Sequence, residues 1–267
     1  MHNRAAANMQ RAIKLHLIVL LTGCLFTIGC KKENQPYARI QLYLKDSPAL
    51  FDSLLIRIYS VELISDSLHY SEKITLKSSQ PINILKYTNE KDTLLAELYY
   101  NAPTIERIII TFGSTHMLYR KGKSIPILLN DTVHSFSLRK PVAIKNAEKN
   151  RLYIDFDCYF SLKAKHNNQW EFIPVVHMRS ADSTGSVRGK ITTSGQMPFV
   201  WLVSPQDTLS TLPLANGNFH ILYVPPGRYS LWVLVTDDEE EAEPVMFIEK
   251  VEVKASNVTG VGTLTIN

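Results

Sequence analysis

Period-two alternation runs through nearly every patterned segment after Tyr37, and it commits this chain to strands. In the run from Ala38 to Lys45, Ile40, Leu42 and Leu44 fall on one face. Leu54 to Ile64, Ile105 to Phe112, His116 to Arg120, Ser124 to Leu129, Val133 to Leu138, Arg151 to Phe160 and Trp170 to Met178 continue the series. Lys121-Gly122 and His166-Asn167-Asn168 read as turns between such runs. Helical pattern is scarce. Asp92 to Tyr100 predicts one short helix, capped by Asp92 or Thr93, with Leu94, Leu95 and Leu98 inward and Pro103 beyond its end.

A small polar stretch, Ser180-Ala-Asp-Ser-Thr-Gly185, suits a linker. Beyond it, Ser186 to Ile191, Phe199 to Val203, Phe219 to Val224, Arg228 to Val235, Val245 to Val253 and Val261 to Ile266 form a second strand series. Asn216-Gly217-Asn218 and Pro225-Pro226-Gly227 supply turns there. Short polar connections between strands point away from βαβ units. The fold class expected is all-β: two β-sandwich domains in tandem, 38–179 and 186–267, joined by 180–185. With 45% hydrophobic residues the chain can fill ordinary cores. No repeat of fixed period is visible.

Ahead of the strands lies a different kind of segment. Arg4, Arg11 and Lys14 precede about a dozen mostly apolar residues, Leu17 to Ile28, and Thr27-Ile28-Gly29-Cys30 ends the run. The apolar stretch is well short of the ~20 residues of a spanning helix. This pattern reads as a lipoprotein signal peptide over 1–29, with Cys30 acylated as the mature first residue and 30–37 as a tether. Leu21-Thr22-Gly23-Cys24 competes for the lipid. Cleavage there, however, would leave Leu25 to Ile28 exposed at the mature start, whereas Lys31-Lys32-Glu33 follows Cys30 at once. Met9 would serve as a start as well as Met1. The expected location is a bacterial cell envelope, lipid-anchored at the outer membrane.

Charge excludes one class of partner. The 29 basic residues less Arg4, Arg11 and Lys14 leave 26 against 25 acidic, a mature charge of +1. With no basic stripe, nucleic acid is not an expected partner. After the signal only Cys30 and Cys158 remain, so a lipidated Cys30 leaves no structural disulfide. Cys158 reads as a small buried residue.

Two resemblances sharpen the organisation. Leu44-Lys45-Asp46-Ser47-Pro48, Ile56 to Val61, Ile82-Asn83-Ile84-Leu85, Asp155-Phe156-Asp157 and Trp170 to Met178, centred on Ile173-Pro174-Val175-Val176, resemble domain of unknown function 4382 of bacterial lipoproteins, over roughly 38–179. The resemblance implies a location and carries no activity. Lys45 stands where a threonine or similar residue is expected. Gly185-Ser-Val-Arg-Gly189, Asn216-Gly217-Asn218-Phe219 and Val224-Pro-Pro-Gly-Arg-Tyr229 resemble prealbumin-like sandwiches of the carboxypeptidase-regulatory type, which implies a spacer or accessory module.

Catalytic signatures are missing from the sequence: it has no Gly-x-Ser-x-Gly, no His-Glu-x-x-His, no phosphate-cradling glycine loop and no EF-hand pattern. His116, His134 and His177 fall in expected strands and read as facing residues. Asp155 and Asp157 share a strand face, about 7 Å apart, and with Asp46 would suit Ca²⁺. A solvated face, or bonds to a neighbouring strand, is the simpler account of them. Asp237 to Glu243 reads as a solvated acidic loop. Tyr99-Tyr100 and Trp170 offer sugar-stacking rings, though such residues more often pack.

Asp, then Ser or Thr, then an aliphatic residue or Thr recurs at Ser53, Ser67, Thr93, Thr132, Ser183 and Thr208, where usage predicts roughly one such triplet. The pattern resembles the O-glycosylation acceptor of one phylum of Gram-negative bacteria, and it also fits turn chemistry before strands. The function expected is a non-enzymatic, cofactor-free envelope protein with a binding or structural role. A glycan- or polymer-binding accessory lipoprotein, partnered by a glycan or an envelope protein, is the alternative. A hydrolase using Asp155, Asp157 or Asp46 ranks behind both.

Overall fold

Alternating strands must bury one face each, and here they do so around two separate cores. The computed structural model describes residues 37–266 apart from 48, 50, 77–79, 147, 167–168, 196 and 237–242, with the backbone alone at 46, 47, 197 and 236. The first strands are β1 (Ala38–Ser47), β2 (Ser53–Ile56), β3 (Ile58–Ser65), β4 (Tyr70–Thr75), β5 (Ile82–Asn83) and β6 (Thr93–Tyr100). β7 (Thr104–Phe112), β8 (His116–Arg120), β9 (Lys123–Leu128), β10 (Val133–Ala143) and β11 (Lys149–Asp157) follow. A one-turn helix, α1 (Cys158–Ser161), leads to β12 (Leu162–Ala164), β13 (Trp170–Phe172) and β14 (Val176–Ser180). The remainder is β15 (Gly185–Thr192), β16 (Met197–Ser204), β17 (Asp207–Thr211), β18 (Asn218–Val224), β19 (Gly227–Thr236), β20 (Glu243–Val253) and β21 (Val258–Thr265).

Three sheets surround the first core, in the orders β14-β11-β1-β6, β10-β7-β3-β4 and β12-β13-β9-β8-β2-β5. Ile40, Leu42 and Leu44 of β1 and Leu152, Ile154 and Phe156 of β11 line it, the two strands running parallel. Phe112 packs edge-on against Phe156 and Phe172 at its centre. Two sheets, β18-β15-β21 and β17-β16-β19-β20, sandwich the second core of Val187, Val200, Leu202, Phe219, Leu231 and Val233. The all-β sandwich class is therefore observed.

Several expected elements take different bounds, each for a local reason. Asp92 to Tyr100 is the strand β6, not a helix. Ala96, Leu98 and Tyr100 are buried at period two while Leu94 faces solvent, because the segment pairs antiparallel with β1. A ladder to a neighbouring strand outweighs the weak helical propensity of so short a run. Leu54 to Ile64 divides at Arg57 into β2 and β3, which join different sheets. Pro174 divides Trp170 to Met178, so β13 pairs with β9 and β14 with β11. β11 ends early because Asp157 accepts a hydrogen bond from the Phe160 amide, capping α1.

Turn chemistry holds as read at Lys121-Gly122 and at Gly217. Lys121 and Gly122 both have positive φ, 50° and 73°, the type I′ requirement between β8 and β9. Gly217 has φ 81°, and a Cβ there would sit 2.1 Å from the Ile191 carbonyl oxygen. The segment 180–185 is closely held: Ala181–Ser183 forms a 3₁₀ turn, the Thr184 hydroxyl donates to Ser180, and the Ser256 amide donates to the Thr184 carbonyl. Residues 167–168 lie outside the described residues.

Gly217 and Gly122 make a controlled pair. Gly217→Ala should lower the unfolding free energy by about 2–4 kcal/mol, since conformational strain adds to a backbone clash. Gly122→Ala, with open space at the same sign of φ, should cost about 1 kcal/mol. Urea titration of both variants measures the difference; equal losses would contradict the packing argument.

Candidate functional site

The face of β11 turned away from the first core carries Tyr153, Asp155 and Asp157, and all three are buried. Strand pairing supplies their neighbours. Lys45 of β1 is in register with Asp155, and across β14 the partners are His177 for Asp155 and Arg179 for Tyr153. Over this face lies β17 of the second sandwich, whose Asp207 meets Arg179. Arg179 Nη1 donates to Asp207 Oδ2 at 2.9 Å, and Nε stands 3.6 Å from Asp155 Oδ2. His177 Nε2 lies 4.0 Å from Asp207 Oδ1. The Arg179 side chain is only 6% exposed, and its Nε and Nη2 have no hydrogen-bond partner among the described residues.

Electrostatics follow from this burial. Removal from water pulls Arg179 down, but Asp207 and Asp155 overcome that and hold it above the ordinary arginine value. Asp157, 2% exposed, is pushed up to about 7 by burial, reinforced by Asp155 and Asp207 and opposed by the Phe160 amide and Arg179. His177 is held below its usual value by burial, then by Arg179. Burial pushes Tyr229, near Asp207 and Arg179, up to about 12. One guanidinium thus holds carboxylates from both sandwiches out of water.

Two further contacts flank the cluster. Tyr223 of β18 stacks on Tyr153 with ring centroids 3.7 Å apart, and the Lys45 ammonium lies 5.5 Å from the Tyr223 ring centre. Tyr223 does so at φ 58°, at a register shift in the β15–β18 ladder. For an aromatic residue this conformation costs about 1–2 kcal/mol, so surrounding contacts must hold it. Asn89, also at positive φ, donates to the Leu212 carbonyl and accepts from the Thr211 hydroxyl and His220 amide. On the other flank Tyr159 and Phe160 of α1 meet Trp201 of β16.

The other sequence-derived sites fall as follows. Asp46 pairs in register with Phe156, one residue out of step with Asp155, and its side chain lies outside the described residues. Among the described residues no three His, Cys, Asp or Glu side chains group as metal ligands. His116 is a core residue: its Nδ1 accepts from the Arg57 amide while Nε2 bonds the Gly113 carbonyl, and burial lowers its pKa. Tyr100 is in the core and Trp170 packs on Phe51, which leaves Tyr99, 64% exposed, alone. Cys158 is buried in the first core. Cys24, Cys30 and 237–242 lie outside the described residues.

Of the six hydroxyl triplets, Ser67, Thr132 and Ser183 are exposed, while Ser53, Thr93 and Thr208 are half-buried at strand starts. Their aspartates do structural work at four places. Asp52 accepts from the Gly122 amide, Asp66 pairs with Arg107, Asp182 with Lys145 and Asp207 with Arg179. The Ser67 hydroxyl donates to Glu106.

What sequence reasoning missed is the pairing of Asp155 with Arg179 and Asp207, 24 and 52 residues away, which no local spacing signals. One available sign was an arginine, Arg179, one alternation step beyond His177 and in phase with it. The raised Asp157 pKa gives a test with a definite sign. Between about pH 4 and 7 the folded chain keeps a proton the unfolded chain has released, so this stabilisation is full below pH 4 and lost as pH rises through 7. Asp157→Asn keeps the cap acceptor and removes the titration. From pH 5 to pH 8, wild type should therefore lose stability relative to the variant, on the order of a few kcal/mol. His177 acts in both proteins and cancels in the comparison. A difference constant with pH, by urea titration, would contradict the assignment.

Comparison with known proteins adds the family. No curated protein matches the chain. Among solved structures, the Bacillus anthracis TIE protein is 10% identical with a TM-score of 0.21; the match covers 86% of this chain and 34% of that one, so the chain spans about a third of its length. The major pilin subunit BcpA of Bacillus cereus is 10% identical, with 86% and 70% covered and a TM-score of 0.23. A structure described as a candidate cell adhesion protein of Bacteroides fragilis is 14% identical, with 86% and 94% covered and a TM-score of 0.22. At such scores the roles in those names stay with those proteins. The family model for domain of unknown function (DUF4382) matches residues 37–174, which takes in Asp155 and Asp157 but stops short of Arg179 and Asp207. By that match, over half its length, the chain belongs to the DUF4382 family.

Proposed function

We propose that this protein is a non-catalytic component of the bacterial envelope, acylated at Cys30 and held at the outer membrane, in which two coupled sandwiches form one stiff binding or structural body. One observation carries the reading. Of the acid pair the sequence offers for chemistry, Asp155 is committed with Arg179 and Asp207 to an ion cluster that joins β11 and β14 to β17, and Asp157 is buried beside it as the cap of α1. Hydrolysis or Ca²⁺ binding would need those carboxylates facing an open concavity.

The second sandwich, 186–267, acts in this reading as a prealbumin-like spacer. Its Val224-Pro-Pro-Gly-Arg-Tyr229 turn supports the likeness, for the Tyr229 hydroxyl donates back to the Pro225 carbonyl and the ring is buried at the core. The first sandwich, 38–179, is the family domain. Lysines 31 and 32 follow the acylated cysteine, where they meet anionic headgroups, and the acyl chains provide the anchor. Ser67, Thr132 and Ser183 are the acceptors best placed to carry O-linked sugar, being exposed.

Expression in a Gram-negative host that processes lipoproteins tests the anchor. The intact mass should correspond to residues 30–267 plus acyl groups, and the protein should enter the detergent phase on partition. Cys30→Ser should lack the acyl mass and keep residues 1–29, while Cys24→Ser should behave as wild type. An acyl-free wild type, or acylation lost with Cys24, would overturn the proposal.

A further inference from the structure

Register places three aromatic residues side by side across the sheet of the second sandwich. Trp201 of β16 is opposite Trp232 of β19, which is opposite Phe247 of β20. Their neighbours along each strand, Val200 and Leu202, Leu231 and Val233, point into the core, so the three rings stand on the outward face. Trp232 and Phe247 lie 4.5 Å apart between ring centres. At the other end Phe160 of α1 lies 5.7 Å from Trp201, extending the junction between the two sandwiches into the row. Phe160 is 40% and Phe247 44% exposed, and both tryptophans are half-buried.

Shape and area select the occupant. With strands about 4.8 Å apart, the four rings span roughly 15 Å from the first centre to the last, the span of four successive pyranose rings roughly 5 Å apart. Four partly exposed aromatic side chains offer roughly 300 Å², well below the ~800 Å² per partner of a stable protein–protein interface. Polar groups border the row on one side, Ser230 next along β19 and then Arg228 in register with Glu252; on the other side stand the buried pair Phe199 and Leu234 and the exposed Val245. A narrow chain with apolar ring faces and hydroxyl edges fits this arrangement. A second copy of this protein would need a broader apolar patch.

We propose that Phe160, Trp201, Trp232 and Phe247 form a binding face for a neutral polysaccharide, one sugar ring stacking per aromatic side chain. The row runs from the junction, so binding engages both sandwiches at once through Phe160 and Trp201. This deepens the reading of the chain as a binding protein and does not depend on acylation at Cys30.

The full chain, purified in detergent, is applied to an array of neutral hexose and pentose oligosaccharides of two to eight units. Intrinsic tryptophan fluorescence then measures affinity for those retained. Expected is binding to at least one series, with affinity rising up to about four units. Trp232→Ala should weaken it at least tenfold, and Phe247→Ser, a surface change, at least threefold. Trp232→Tyr should keep most of it, and Tyr99→Ala should change it less than twofold. Thermal unfolding of each variant confirms the fold. No binding across the array, affinity indifferent to Trp232→Ala and Phe247→Ser, or a dimer dissociated by Trp232→Ala would overturn the proposal. Binding followed by cleavage of the oligosaccharide would keep the row as the site and overturn the non-catalytic reading instead.

Discussion

A guanidinium almost wholly removed from water, between carboxylates of two sandwiches, is the constraint around which the rest of this molecule is arranged. Arg179 stands beside Asp155 on its own sheet and bonds Asp207 on the other. Separating the sandwiches would return all three groups to water, which by itself favours separation. The junction therefore needs contacts that do not dissolve on solvation. It has them in the Tyr153–Tyr223 stack, the Asn89 amide bonded to three groups of the second sandwich, and the rings of Tyr159 and Phe160 on Trp201. The ions specify the register of this contact, and the aromatic area supplies its adhesion.

That division explains the local departures from ideal geometry. Tyr223 and Asn89 both occupy left-handed backbone, which β-sheet and loop propensities disfavour, and both point a side chain across the junction. The α1 turn interrupts β11 just after Asp157 and so turns Tyr159 and Phe160 toward Trp201. The same interruption puts Phe160 in line with Trp232 and Phe247. Trp201 belongs to both junction and row: it meets Tyr159 and Phe160 and is in register with Trp232.

Much of this was legible before any coordinates. The face of Ile40, Leu42 and Leu44 and the Lys121-Gly122 turn are dictated by alternation and φ, which act within a few residues. Asp92 to Tyr100 misled because its leucines suit a helix as well as a strand, and only pairing with β1 decides. The Asp155 and Asp157 face was identified, but its environment was not. A strand's outward face is solvated or buried according to what a distant segment does, and Asp207 lies in β17, which lacks a strong alternating signal. Trp201, Trp232 and Phe247 were visible only as strand residues; their alignment is a property of register, which no single strand contains.

If the buried cluster and its aromatic flanks make the two sandwiches one cooperative body, calorimetry of the full chain is the most direct measure of it. One unfolding transition is expected, with equal calorimetric and van't Hoff enthalpies, and Arg179→Met should split it into two. Two transitions in the unaltered protein, or a single transition indifferent to Arg179→Met, would contradict the account.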